Sequence, residues 1–429
     1  MTEAESHPPK RVPAHRIRTM SGRDPDEENR AATPLELLFD LTFVIGFGLA
    51  ASEFAHALAE DHAGAGLAAF LFATFAISWA WINFSWFASA YDTDDWVYRL
   101  MTMLQMVGVI ILAMGLPAMY ATVIAGEHID NRVIVAGYVV MRIGLVAQWL
   151  RAAKQDPMRR AACLTYAGVV TVAQIGWIGS IFVDTPLVPT FAIVAVLIAF
   201  EMFGPWLAER RRGGTPWHAH HIAERYSLLA IIALGEGVVG TVASLSAVVS
   251  AQGWTVAAVL VAVAGTGLTF GMWWLYFMVP QAHILHARRE LSFRLGYLHI
   301  VVFGAIVGTG AGLHAAAYYV EHQSKLSAAG TVLSVAIPVA VYVAAVYLLY
   351  SWLMQARDTV HLLLAVLTMM VLVAAVVLVG RGMSMANALL LVMLAPAMIV
   401  VGYELRGYRR GEAAVTPRLT DDSPGKSRS

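Results

Sequence analysis

Residues 33–58 read TPLELLFDLTFVIGFGLAASEFAHAL. The string is long and apolar enough to cross a hydrocarbon layer of ~30 Å as one helix. It also carries two acids, Glu36 and Asp40, one turn apart on one face. Apolar runs of similar length follow at 66–89, 100–122, 133–151, 161–183, 187–207, 222–250, 254–279, 293–319, 327–350, 360–379 and 384–405. With the first, at 35–58, they make twelve expected spans. The runs are continuous rather than alternating, which selects helices over barrel strands. Composition agrees. The chain is 59% hydrophobic and 14% charged, with mean hydropathy +0.65, against about 45–50% and about 25% in soluble domains. The expected fold is all-α, a polytopic membrane protein of about twelve transmembrane helices, and a water-soluble α/β enzyme is excluded.

Twenty-nine Lys plus Arg balance twenty-nine Asp plus Glu. That balance argues against nucleic-acid binding, which needs a basic excess. The charge is nevertheless sorted. With the N-terminus placed in the cytoplasm, the inner segments hold 25 of the 29 basic residues, among them Arg16, Arg151, Lys154, Arg210 to Arg212, Arg225, Arg288, Arg289, Arg409 and Arg410. The outer segments hold Arg132, Lys325 and Arg381, beside acids such as Glu60, Glu127, Asp184 and Glu321. The positive-inside rule therefore places both termini in the cytoplasm. The first 33 residues are polar and lack the apolar run of a cleavable signal, so span 1 is expected to act as the targeting signal.

The two halves echo each other. Trp81-Ile82-Asn83-Phe84 matches Trp274-Leu275-Tyr276-Phe277, Arg99-Leu100 matches Arg294-Leu295, and Gly115 matches Gly310. Pro205 and Pro396 form a further pair, and Gly46-Phe47-Gly48 parallels Gly235-Glu236-Gly237. The nearly constant offset implies a parallel 6+6 repeat. The expected organisation is a polar tail over 1–33, a first six-helix half over 34–207, a linker over 208–221, a second half over 222–405 and a basic tail over 406–429. Transporters of this plan place their site between the halves, near the midplane.

Ionisable groups inside a bilayer are functional candidates. Glu36 fits a capping box with Thr33, with Pro34 at the first helical position. Asp40 lies one turn deeper, past any capping role. Glu236 lies near the middle of span 7 between Gly235 and Gly237, which suit either close packing or local unwinding. Arg142 in span 4 needs an anionic partner, and Glu236 or Asp40 is expected to supply it. Glu201, Glu224-Arg225 and Glu404 lie near cytoplasmic ends and read as interface groups. The turn Asp92-Thr93-Asp94-Asp95 with Arg99 can cap span 3 and pair with basic loops, either as plain structure or as a gate. Cys163 reads as a buried inert thiol, and the histidines at 218, 220 and 221 as loop groups. His299 and His314 are expected to face a cavity. No metal-ligand spacing, cofactor motif or catalytic set is visible, so neither a cofactor nor an enzyme activity is expected.

Several of these strings resemble one family. Thr33-Pro34-Leu35-Glu36-Leu37-Leu38-Phe39-Asp40-Leu41-Thr42-Phe43-Val44 is similar to the opening signature of the bacterial low temperature requirement protein A family. Tyr91-Asp92-Thr93-Asp94-Asp95 before Arg99, Glu224-Arg225-Tyr226 through Leu234-Gly235-Glu236, and Trp273-Trp274-Leu275-Tyr276-Phe277 resemble its later motifs. Leu38 departs from the pattern, where an aromatic is common. The resemblance implies a bacterial inner-membrane protein of a family named for growth in the cold. It brings no biochemical activity with it, and it adds Glu224 to the candidates Glu36, Asp40 and Glu236. Two functions follow as expectations. In one, the chain is an ion- or proton-coupled carrier of a small ion or solute, with Asp40 and Glu236 at equivalent depths and Arg142 as counter-charge. In the other, it is a non-transporting stress sensor or scaffold whose basic loops bind partners or anionic lipid.

Overall fold

The structure is a computed structural model that describes residues 17–407 except 26, 28, 29, 184, 280 and 355–358. Arg16, Asp184, Arg409 and Arg410 lie outside the described residues, as do 1–15 of the first expected tail and 408–429 of the last. Among the described residues, twelve helices are long and apolar enough to cross a membrane. The elements are α1 (Pro34–Ala59), α2 (Ala63–Tyr91), α3 (Trp96–Met114), α4 (Leu116–Ala125), α5 (Arg132–Gln155), α6 (Arg160–Ser180) and α7 (Leu187–Arg211). They continue with α8 (Ala219–Gln252), α9 (Val256–Phe277), α10 (Gln281–Ala287), α11 (Ser292–Val320), α12 (Ala328–Met354), α13 (Thr359–Gly380) and α14 (Met385–Gly402). The chain is a polytopic all-α membrane protein.

Two expected spans are more articulated than their hydropathy suggests. The third is two helices, α3 and α4, broken at Gly115. Pro117 lacks an N–H and its ring meets the carbonyl of the preceding turn, so the α3 ladder ends there. The eighth runs past the expected 254–279 through a short turn into α10.

Helix starts follow local chemistry. Thr33 and Glu36 form a reciprocal capping box, with Thr33 N–H donating to Glu36 Oε2 at 2.7 Å and Glu36 N–H to Thr33 Oγ1 at 3.3 Å. Asp95 caps α3 through the Tyr98 N–H at 2.9 Å. His218 caps α8, its Nδ1 accepting the His221 N–H at 3.2 Å.

Helices α2 and α11 are the most enclosed. Lipid tails are as apolar as leucine, so helices here associate through close packing rather than through expulsion of water. In α11 small residues set that closeness. A Cβ on Gly310 would lie 2.7 Å from the Glu236 carbonyl oxygen on α8, and one on Gly312 would lie 2.4 Å from the Ser334 carbonyl on α12. Gly240 on α8 reciprocates, 2.6 Å from the Gly310 carbonyl. The outward faces stay apolar, as at Leu41, Ile45, Met114 and Phe182, all exposed.

These contacts generate a paired prediction. Gly240→Ala drives a methyl into the α11 backbone and lowers the thermal midpoint of the detergent-purified protein. Gly235→Ala, with nothing within 4 Å, leaves the midpoint unchanged or raises it, since alanine is the better helix former by ~1 kcal/mol. Equal midpoints for the two variants would contradict this packing.

Candidate functional site

The first turns of α1 and α8 face each other at the arginine-rich end of the bundle. Glu36 and Asp40 are i,i+4 on α1, and His221 and Arg225 are i,i+4 on α8, so each helix presents one charged face. All four side chains are buried. Arg225 Nη2 donates to Asp40 Oδ1 and, at 3.4 Å, to Ser85 Oγ on α2. Its Nη1 stands 3.3 Å from Glu36 Oε1. The Trp81 indole N–H donates to the same Asp40 oxygen at 2.6 Å, and its ring lies 5.6 Å from the guanidinium carbon. His221 Nε2 is 3.1 Å from Glu36 Oε1. Glu36 therefore caps α1 and meets α8 at once.

The cluster is not saturated. Asp40 Oδ2, His221 Nδ1, Arg225 Nε and the Tyr98 hydroxyl are buried without a hydrogen bond. Each such group costs about 1–3 kcal/mol if left dry. Four of them in one nest leave polar valences that internal water can satisfy.

The turn after α2 adds to the cluster. Its four expected gate residues part company. Asp94 pairs with Arg99 at the surface at 2.8 Å. Asp95 caps α3, accepts the Arg18 N–H at 3.1 Å and pairs with Arg151 from α5. Burial pushes the Asp95 carboxyl up, but the bonds from Arg151, Tyr98 and Arg18 outweigh it and hold the group at about 2. Asp92 turns inward and accepts the Asp94 N–H at 2.8 Å. Burial first, and then the Glu36 carboxylate, push Asp92 up to about 7. Arg30 is buried nearby and donates to the Ala88 and Ser89 carbonyls at the end of α2. Burial lowers its pKa, and Glu36 and Asp92 partly restore it. Tyr98 lies within the field of Asp92, Glu36, Arg225 and Arg30.

The remaining candidates separate. Arg142 meets neither Asp40 nor Glu236, against expectation. Its partner is Glu201 on α7, at 2.9 Å. The Trp79 and Trp177 indoles also donate to that carboxylate, and the Tyr138 ring lies 5.1 Å from the guanidinium. The reason is placement: α5 packs on α3 and α6, away from α8. With three donors on one carboxylate, the pair reads as a fastening between α5 and α7. Glu236 rests against the α1 backbone, its Oε1 3.2 Å from where a Gly48 Cβ would stand. Among the described residues it has no ion pair or hydrogen bond. Gly48 is eight residues beyond Asp40, about 12 Å along the helix, so Asp40 and Glu236 do not share a depth. The flanking glycines do not unwind, since α8 is continuous through them; Gly237 packs on Thr269 of α9, while Gly235 faces open space.

A cavity of about 1030 Å³ opens beside the cluster, between α8, the end of α9, α10 and the segment before α1. That segment crosses the end of the bundle. Arg23 N–H donates to the Ala90 carbonyl at 3.0 Å. Glu224 accepts the Ala32 N–H at 3.1 Å, and the His218 ring reaches the Glu27 carbonyl at 2.7 Å. The His218 Nδ1 is already an acceptor, so its Nε2 carries the proton. Burial lowers the pKa of His218, which favours this neutral form. The histidines read as loop groups thus line a cavity wall or, for His221, the cluster itself. His299 is buried in packing rather than facing a cavity, bonded to the Tyr276 hydroxyl at 2.8 Å and the Leu295 carbonyl at 2.7 Å. Cys163 is buried, with its Sγ 3.3 Å from the Tyr91 hydroxyl. Among the described residues, no three His, Cys, Asp or Glu side chains converge to hold a metal ion.

Fold and site together define a multi-pass α-helical membrane protein with a charged centre buried between two of its helices. The chain belongs to the family described as bacterial low temperature requirement A protein (LtrA), whose profile it matches over residues 31–396. It is similar to a Rhizobium meliloti (strain 1021) protein named "Uncharacterized protein RA0937", at 24% identity over 302 residues, covering 67% of this chain and 69% of the other. No solved structure matches it.

Asp92 gives a test in pH. Its folded value of about 7 lies above the unfolded value of about 3.9. The unfolded chain therefore releases this proton first, and stability from this group falls as pH rises from about 4 to about 7. In Asp92→Asn that decline disappears, and the thermal midpoint at alkaline pH exceeds that of the parent. A variant whose midpoint follows the parent curve at every pH would refute the assignment.

Proposed function

We propose that this protein is a proton-coupled secondary transporter of the bacterial inner membrane, with both termini cytoplasmic. The α1–α8 cluster is its coupling centre. The observation that carries the reading is a charge imbalance. Glu36, Asp40 and Asp92 face Arg225 and Arg30, all five buried. With His221 neutral, three carboxylates meet two guanidiniums. Uncompensated charge in a low-dielectric interior costs several kcal/mol, and one proton removes it.

A proton on Glu36 or Asp40 works as a switch. Glu36 and Asp40 sit on the first helix of one expected half, and Arg225 on the first helix of the other. Deprotonated, the acids hold α8 to α1 through Arg225 and close the arginine-rich end. Protonated, one of these attractions is lost and the end loosens toward the neighbouring cavity. Glu236 supplies a second protonatable group farther along the same helix contact. The pattern of helix neighbours supports the two-half plan. Span 1 touches 2 and 3, and each later span touches the next through span 6. Span 7 touches 8 and 9 and spans 9 to 12 touch in turn, while span 12 also packs on span 8, a contact without an equal between spans 6 and 2. The sorted basic residues support the orientation.

Currents recorded from proteoliposomes on a solid support, under pH steps and a panel of small ions and solutes, test the reading. A pH-gradient-driven current with at least one solute is expected, reduced at least tenfold in Asp40→Asn. The surface variant Glu404→Gln retains it. No current above that of empty vesicles, or an undiminished current in a folded Asp40→Asn protein, would favour a sensor or scaffold instead.

A further inference from the structure

The cavity beside the coupling centre has a polarity of its own. Its charged groups are mostly spent. Arg30 is engaged by the α2 carbonyls, and Glu27 is paired with Arg23 at 2.7 Å. Glu224 is the exception. It accepts one backbone N–H and has no ion pair among the described residues. Gln281, buried in the cavity wall, has a side-chain oxygen with no hydrogen bond. Three imidazoles, His220 on α8 and His283 and His286 on α10, converge on the same space, with ring centroids 5.3 and 5.5 Å from that of His220. Among the described residues these rings have no hydrogen-bond partner, so each offers a lone pair while neutral. The Phe277 ring and the Tyr276 side chain supply an aromatic floor.

The unspent groups are one carboxylate, one amide oxygen and three imidazoles, each of which while neutral offers an acceptor nitrogen beside its N–H. A ligand that satisfies them carries positive charge and N–H donors. We infer that this cavity is a binding site for a small organic amine cation of the diamine class, with Glu224 as its counter-charge and Gln281 and the imidazoles as hydrogen-bond acceptors. A volume of about 1030 Å³ admits such a molecule with part of its water. Dicarboxylates are disfavoured because no unspent guanidinium faces the space. A bare transition metal is disfavoured because the three rings do not converge with metal-ligand geometry.

This inference gives a solute class to the transport reading and rests on it for the word substrate. The binding is tested without flux, so either can fail alone.

Isothermal titration of the full-length detergent-solubilised protein with putrescine, at neutral to alkaline pH, makes the test. Saturable one-site binding is expected. It weakens at least tenfold in Glu224→Gln, a variant that keeps an acceptor for the Ala32 N–H, and weakens also in Gln281→Leu. Tetraethylammonium, a cation without N–H donors, binds more weakly than putrescine. Absence of putrescine binding to the folded parent protein overturns the inference. So does binding indifferent to both substitutions, or tighter binding of succinate. Amine binding without any transport current would leave this inference standing and remove the transport reading.

Discussion

The contact between the acidic face of α1 and the Arg225 face of α8 organises the rest of the molecule. Charged groups are costly inside a membrane protein unless they meet, and here they meet across two helices far apart in sequence. Arg225 is wholly buried, and Asp40, Glu36, Ser85 and the Trp81 ring surround it. Removing either side would strand charge in a low-dielectric interior, a loss of about 3–5 kcal/mol for a buried pair. The geometry thus fixes which face of α1 and of α8 turns inward. It also aligns the segment before α1, whose Thr33 and Ala32 backbone groups bond Glu36 and Glu224.

Packing and charge divide the length of that contact. At the arginine-rich end the helices are joined by charge. Farther along, Gly48 of α1 makes room for Glu236, and on another face α8 sets Gly240 against Gly310 of α11. The Arg142–Glu201 pair stands apart from both. Its carboxylate accepts two indole N–H groups besides the guanidinium. One buried ion pair is saturated and the other is not, and this difference in satisfaction distinguishes a fastening from a candidate functional centre.

Much of the fold was legible because a ~30 Å apolar layer imposes a length that hydropathy reads directly. The Thr33–Glu36 capping box and the Asp95 cap were legible for the same local reason, since both are short-range hydrogen bonds. The partners were not. Arg225 belongs to a basic cluster that the positive-inside rule assigns to a cytoplasmic end, and nothing local marks it as buried. Its signal was helical phase: His221, Arg225, Leu229 and Ala233 share the buried stripe of α8. Arg142 was recognised as needing an acid, but Glu201 looked interfacial because span boundaries alone do not tell which helices adjoin. Nothing local marks Trp79, Trp81 and Trp177, yet each donates to a buried carboxylate. Asp92 was grouped with its neighbours in the turn, and only the fold turns it inward toward Glu36.

The central claim is that the buried cluster carries one carboxylate more than its guanidinium charge and therefore holds an exchangeable proton. Infrared difference spectroscopy of the purified protein, titrated through neutral pH, reads that proton directly in the carboxylic-acid C=O band. The account expects a protonated carboxyl that titrates near the Asp92 value of about 7 and whose band changes or disappears in Asp92→Asn and Asp40→Asn. No titrating C=O band, or one unaltered in both variants, would contradict it.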